Sequence, residues 1–237
     1  MIAGLPMYER PELFQAHDNL WQLIHKQIHG SPQKLSRNVE LWELWTSPEL
    51  LLAQTCSTPY REALFKNTIY VGTPDYNLPD CPPGYYNSII IGQSDRTLSQ
   101  LKNGIFGYND KFSNSGWNAP INHFKKLDIF PKNTIETGSH RSSAKAVADG
   151  RIDFAAIDAQ SWRLIKKYDK FANKIKVFDQ TEPTPGLPFI TSKPGLKDKL
   201  FRAVKKAIQD LSNQDRSILH LKDFIKLDEE KYMKTLK

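Results

Sequence analysis

The sequence predicts an α/β protein folded as two lobes, and three observations carry that expectation. Its 237 residues, 39% hydrophobic and 11% aromatic, are enough to build one large domain or two small lobes around real cores. Short apolar runs of strand length alternate with amphipathic helical patterns through most of the chain. Two turn-rich segments, 73–84 and 181–188, interrupt the alternation, and each leads into a strand.

In order, Ile2 to Tyr8 reads as a strand, and Pro11 to His29 as a helix with Leu13, Leu20, Trp21, Ile24 and Ile28 at helical spacing. Glu40 to Trp45 is a short helix, Leu50 to Cys56 a buried strand, Pro59 to Phe65 a short helix and Thr68 to Thr73 a strand. Beyond the first turn-rich segment, Tyr85 to Gly92 reads as one long strand. Thr97 to Lys102 is helical and Ile105 to Tyr108 a strand. Gly116 to Leu127 is a helix with Pro120 in its early turns. A strand at Thr134 to Thr137 precedes a helix from Ser142 to Asp149, which Gly150 ends. Ile152 to Ile157 is a buried strand, Ala159 to Tyr168 a helix and Ile175 to Phe178 a strand. After the second interruption come a strand at Phe189 to Ser192, an amphipathic helix from Leu196 to Leu211 and a charged helical tail from Arg216 onward. Repeated strand–helix units imply largely parallel pairing. If the strands after the two interruptions cross between lobes, lobe one is 1–88 plus 186–237 and lobe two is 89–185. Sites in such sheets gather at the carboxyl ends of strands and in clefts between domains.

The formal net charge is +7. The lysines and arginines are dispersed, and the pairs Lys125-Lys126, Lys166-Lys167 and Lys205-Lys206 fall in helical patterns as solvated faces. Neither a basic tail nor a nucleic-acid motif is present, and no apolar run is long enough to insert in a membrane. Two cysteines, Cys56 and Cys81, are too few for a disulfide scaffold, and spacing alone does not decide whether they pair. The first eight residues lack a basic segment, an apolar segment and a cleavage site, so the chain as written reads as cytoplasmic, and as periplasmic if a signal has been removed.

Three strand ends carry the chemistry. Tyr108 to Trp117 runs from a strand through a polar turn to a helix start at Ser113, Asn114 and Ser115, where hydroxyls and unpaired backbone N–H groups suit an anion. The alternative there is a plain cap. Thr137 to Ser143 repeats the pattern, with His140 as a donor to an oxyanion and Arg141 as either a bidentate partner or a solvated side chain. Asp158 stands where an apolar strand becomes a helix, as a cap or as an acceptor for a ligand donor. Tyr8, Gln54 and Thr55 offer neutral hydrogen bonds from the other lobe, and Tyr86 lies at the proposed crossover. The sequence contains no nucleophile elbow, Walker loop, dinucleotide fingerprint or zinc-protease motif, and its histidines and cysteines lack metal-ligand spacing. Neither a cofactor nor a metal is expected.

Together these pieces resemble the phosphate/phosphite/phosphonate-type substrate-binding proteins, the PhnD/SsuA/transferrin-like family. The matching segments are Met7 to Glu12, Gln54 to Cys56, Gly72 to Tyr76, Cys81 to Tyr86, Gly138 to Arg141 with Ala146 to Asp153, and Thr181 to Gly186. The resemblance implies a periplasmic-binding-protein type II fold, each lobe a mixed sheet flanked by helices. It also implies a hydroxyl-rich helix start at Ser113-Asn114-Ser115, a ligand-binding histidine at His140, a tyrosine hydroxyl from Tyr8 and an acidic residue at Asp158. Arg141 departs from members that bind aminophosphonates, which often carry an acid beside the histidine. The expectation is a monomeric solute-binding protein that closes on a small anionic ligand and serves an ABC-transporter permease. An enzyme of cofactor or metabolite biosynthesis on the same fold is the alternative.

Overall fold

The computed structural model describes residues 1–94, 104–131 and 133–234. The helix expected at Thr97 to Lys102 lies outside the described residues. The described chain divides into two compact units, one made of Met1–Tyr85 with residues 185–234, the other of Tyr86–Thr184.

The first unit is built on a five-stranded sheet, β1 (Ile2–Gly4), β2 (Leu50–Gln54), β11 (Phe189–Thr191), β3 (Ile69–Asp75) and β12 (Asp223–Ile225), in that spatial order. Every side chain of β2 is buried, as its unbroken apolar run requires. Helices α1 (Phe14–His25) and α7 (Lys197–Asp210) pack against each other, while α2 (Leu41–Thr46) lies on β1 and β2. One core gathers Leu44, Trp45, Tyr60, Leu64, Tyr70, Ile190 and Tyr232. Tyr232, on α9 (Glu230–Lys234), reaches into it and donates to the carbonyl of Gly186 at 2.9 Å.

The second unit holds the sheet β7 (Asn133–Glu136), β6 (Ile105–Tyr108), β8 (Phe154–Asp158), β5 (Ser88–Gln93), β9 (Ile175–Gln180). Helix α5 (His140–Ala148) packs on β8 and β5 through Ala144 and Val147. A second cluster joins Phe106, Tyr108, Phe124 and Phe154, with α4 (Ala119–Lys126) supplying Phe124. Helix α6 (Ala159–Tyr168) follows β8 directly.

Four expectations are corrected. Pro6 turns the chain into a 3₁₀ segment at Pro6–Tyr8, so the first strand stops at Gly4. The strand expected from Tyr85 to Gly92 breaks at Asn87 into β4 (Tyr85–Tyr86), which pairs with β10 (Thr184–Pro185), and β5. The tail is not wholly helical: after α8 (Asn213–Leu219), His220 adopts a left-handed conformation at φ 54° and the chain returns as β12 against β3. Pairing is parallel for β1–β2, β6–β7 and β6–β8, but β11 and β12 are antiparallel to their neighbours in the first unit, and β5 to both of its neighbours in the second. Of these, β5 and β11 follow the segments that pass between the units and β12 follows the left-handed turn at His220, long-range placements invisible to local strand–helix alternation.

Candidate functional site

In the second unit, strand β6 ends at Tyr108, and the turn after it delivers a helix start. Ser113 is the N-cap: its Oγ accepts from the Gly116 amide at 3.0 Å, so capping takes up this hydroxyl's acceptor role. The next turn, Asn114–Asn118, is a wide π-turn, and Trp117 and Asn118 both donate to the Ser113 carbonyl. Gly116 is required here, because a Cβ would lie 2.9 Å from Asn109 Cγ and closer still to its Oδ1. Asn114 is 1% exposed, and its Nδ2 donates to Tyr86 Oη and to Thr184 Oγ1, each at 3.0 Å. Ser115 is also buried, with its Oγ 3.0 Å from His140 Nε2.

His140 comes from the adjacent strand end. The amides of Thr137 and Gly138 donate to the carbonyls of Tyr108 and Asn109, which ties this second turn to the first. Gly138 takes φ +83°, a conformation that glycine adopts freely. Ser139 then caps α5 by accepting from the Ser142 amide at 3.0 Å, and His140 is the first residue of the helix. Part of His140 is exposed, but its Nδ1 is buried and makes no hydrogen bond of ordinary geometry. Burial pushes the imidazole down to about 4, with the Ala156 backbone acting weakly in the opposite sense, so the ring is neutral near pH 7.

The other candidates in this unit are occupied by their own neighbours. Arg141 donates through Nε and Nη2 to Asp169 Oδ1, at 2.9 and 2.6 Å. Asp158 is buried and accepts from the Ser161 amide at 2.8 Å as the N-cap of α6. The structure therefore sets three consecutive neutral polar side chains in one turn, Ser113 capping it, Asn114 bonded to Tyr86 and Thr184, and Ser115 facing His140. It pairs Arg141 with an acid and Asp158 with a helix start.

In the first unit, Tyr8 is buried and meets Tyr76 edge to face at 4.9 Å between ring centres. Gln54, at the end of β2, donates through Nε2 to Tyr76 Oη at 3.2 Å. Thr55 is wholly buried, its amide donating to the Pro188 carbonyl and its hydroxyl to the Cys56 carbonyl. Tyr76, Thr184, Asn109 and Asp169 were not identified as site residues by sequence reasoning. Tyr76 stood inside a matched segment as a turn residue, and Thr184 was hidden in a proline-rich run. For Asn109 and Asp169 no local signal exists, since their roles arise from contacts with residues 7 and 28 positions away. Among the described residues, no group of three or more His, Cys, Asp or Glu is arranged to hold a metal ion, and no helix is long and apolar enough to cross a membrane.

The family model of ABC transporter, phosphonate, periplasmic substrate-binding proteins matches residues 52–232. The chain belongs to this family. It is thus a solute-binding protein, and membership brings with it a small ligand and a transporter permease as partner; the family is typically periplasmic. Among solved structures, PhnD1 from Prochlorococcus marinus (MIT 9301) in complex with methylphosphonate is similar at TM-score 0.73 and 16% identity, covering 98% of this chain and 94% of that one. A binding-protein component of an ABC phosphonate transporter from Pseudomonas aeruginosa is similar at TM-score 0.71 and 19% identity, over 98% of this chain and 82% of that one. A Xanthomonas citri protein bound to ATP is similar at TM-score 0.66 and 13% identity, over 98% and 92%. These likenesses establish the fold as that of type II periplasmic binding proteins. A search of curated proteins finds no match.

Proposed function

We propose that this binding protein takes a small phosphonate or phosphate-like oxyanion and delivers it, as a monomer, to an ABC-transporter permease. The observation that carries the reading is the buried polar group of Ser113, Asn114, Ser115 and His140, two strand ends held against each other at the starts of two helical segments. First-turn amides have no intrahelical acceptor and point outward from a helix start, where they favour negative charge. Hydroxyl donors fixed beside them replace part of an anion's water shell without a counter-ion. Tyr8, Gln54, Thr55 and Asp158 are proposed as further ligand contacts, with Tyr76 added to that set because it joins Tyr8 to Gln54.

Calorimetric titration with methylphosphonate, phosphite, inorganic phosphate and methanesulfonate tests the proposal. Binding of at least one phosphorus oxyanion is expected, weakened on the order of tenfold or more by Ser115→Ala, since a hydrogen bond to a charged group contributes about 1.5–3 kcal/mol. Absence of binding by all four, or an unchanged affinity in Ser115→Ala, refutes the assignment.

A further inference from the structure

Asn114 stands in the middle of the proposed anion-binding turn, between the cap Ser113 and Ser115, yet its carboxamide is committed elsewhere. A primary carboxamide has two N–H donors on one nitrogen. Both are given: Nδ2 donates to Tyr86 Oη and to Thr184 Oγ1, each at 3.0 Å. The residue is 1% exposed, so neither donor has bulk water to fall back on. A serine or threonine at this position would donate once and reach only one of the two acceptors.

The acceptors lie at a particular place in the chain. The boundary between the units falls between Tyr85 and Tyr86 on one crossover, and between Thr184 and Pro185 on the other. Strands β4 and β10 pair there as a two-stranded ribbon. Asn114 therefore holds the first residue of the second unit and the last one together, with a single side chain.

Backbone ties bracket this point on both sides. In the second unit, the Ser88 amide donates to Thr181 Oγ1 and the Thr181 amide donates to the Ser88 carbonyl, each at 2.9 Å. In the first unit, the Gly186 amide donates to the Gly84 carbonyl, and the Tyr232 hydroxyl donates to the Gly186 carbonyl, again each at 2.9 Å. Gly186 admits no side chain, because a Cβ would lie 2.7 Å from the Gly84 carbonyl oxygen. The crossovers are thus pinned to one another at residues 88 and 181, and again at 84 and 186. Between the pins lie residues 85–87 and 182–185, where Pro183 and Pro185 fix φ and carry no N–H. A hinge is a short stretch of this kind that absorbs the change in backbone angles. Asn114 grips inside it on both crossovers.

We infer that Asn114 is a positioning residue that couples the oxyanion turn to the two crossovers, its carboxamide serving the hinge while Ser115 beside it serves the anion; the inference rests on the oxyanion reading above. The turn is stiff enough to carry the coupling, since Trp117 and Asn118 both donate to the Ser113 carbonyl and Ser113 Oγ accepts from Gly116. A shift of Ser115 on binding is then passed to Tyr86 and Thr184 by the neighbouring side chain.

The test compares Thr184→Val with Thr184→Ser by calorimetric titration with methylphosphonate and with inorganic phosphate. Valine keeps the shape of threonine and loses the acceptor, whereas serine keeps the acceptor. Affinity in Thr184→Val should fall about three- to tenfold, the loss of one hydrogen bond, and Thr184→Ser should retain the wild-type value. A double-mutant cycle with Asn114→Leu separates action through the crossovers from contact with the ligand. In a Tyr86→Phe/Thr184→Val background, Asn114→Leu should cost little further affinity. Small-angle X-ray scattering with and without saturating methylphosphonate adds a readout that a loss of stability alone does not move. The ligand-linked fall in radius of gyration should shrink in Thr184→Val and return in Thr184→Ser. Wild-type affinity in Thr184→Val, an equal Asn114→Leu loss in both backgrounds, or a wild-type radius of gyration that ligand leaves unchanged overturns the inference and leaves the oxyanion reading standing. If Asn114→Leu does not fold, the two Thr184 variants decide by themselves. Binding of neither anion by the wild type removes both.

Discussion

Replacing Gly116 by alanine tests whether the turn proposed to bind the anion is held in place by its neighbour Asn109. The added methyl would stand 2.9 Å from Asn109 Cγ, closer still to Oδ1, and 3.2 Å from Ser113 Oγ, the atom that caps the turn. Real side-chain carbons do not approach so closely, so either the Asn109 carboxamide leaves its place or the π-turn carrying Asn114 and Ser115 moves. Overpacking of this kind costs about 1–3 kcal/mol. For a chain of this length, that is a fall of roughly 2–12 °C in Tm at about 2–4 °C per kcal/mol. Ligand affinity should fall with it, because Ser115 Oγ and His140 Nε2 are only 3.0 Å apart and a shift of a few tenths of an ångström spoils their register. The decisive comparison is the double variant. Asn109→Ser removes the carboxamide that the methyl would strike, so Gly116→Ala should cost much less in that background, and the coupling between the two sites should recover most of the single-variant loss. Thermal unfolding and calorimetric titration of the four proteins complete the cycle. If the two losses simply add, Asn109 does not hold the turn and the steric account is wrong.

Arg141→Ala should destabilise by about 1–3 kcal/mol, because Asp169 is buried and loses its guanidinium, yet leave oxyanion affinity essentially unchanged; a large loss of affinity at unchanged Tm would return Arg141 to the ligand. Tyr232→Phe removes a buried hydroxyl bonded to Thr73 and to the Gly186 carbonyl, and denaturant titration should show a loss of about 1–2 kcal/mol; no loss would mean that the tail is held by ring packing alone. His17 is buried beside Arg37 and pushed down to about 4, so the folded state prefers it neutral while the unfolded chain protonates it near 6.5. Its stabilising effect is complete above pH 6.5 and is lost as pH falls from there toward about 4, by up to about 3 kcal/mol. Glu9, raised by burial, works in the opposite sense, so the quantity to measure is the difference in pH dependence between wild type and His17→Gln, which should be shallower. Identical slopes would show that His17 is solvated in the folded protein.

The candidate site was legible where its chemistry is local and obscure where it depends on who else arrives. Ser113 and Asp158 announce helix starts because a cap is made with an amide only three residues on, and both make that bond, whereas the helix read from Ser142 begins at His140 with Ser139 as its cap. The same locality hides the difference among them. A cap commits one lone pair of its hydroxyl or carboxylate to its own backbone and fixes where the side chain points, which the cap pattern alone does not tell apart from a ligand contact. Ser115 is distinguished from Ser113 only by His140, 25 positions later, and Asn114 only by Tyr86 and Thr184, 28 and 70 positions away. Arg141 illustrates the reverse error of inference: a cation beside a helix start suggests an anion partner, and the fold supplies one from within, Asp169. The fold shows the same division. Strand–helix alternation marks nearly every element, because burial periodicity is a property of a dozen consecutive residues. Strand direction is set by where the chain re-enters a sheet, and β12 completes the edge of the first sheet some 150 residues after its partner β3. The proposed ligand contacts are therefore set apart by pairings between distant segments, Ser115 with His140 and Asn114 with Tyr86 and Thr184, which no local pattern carries.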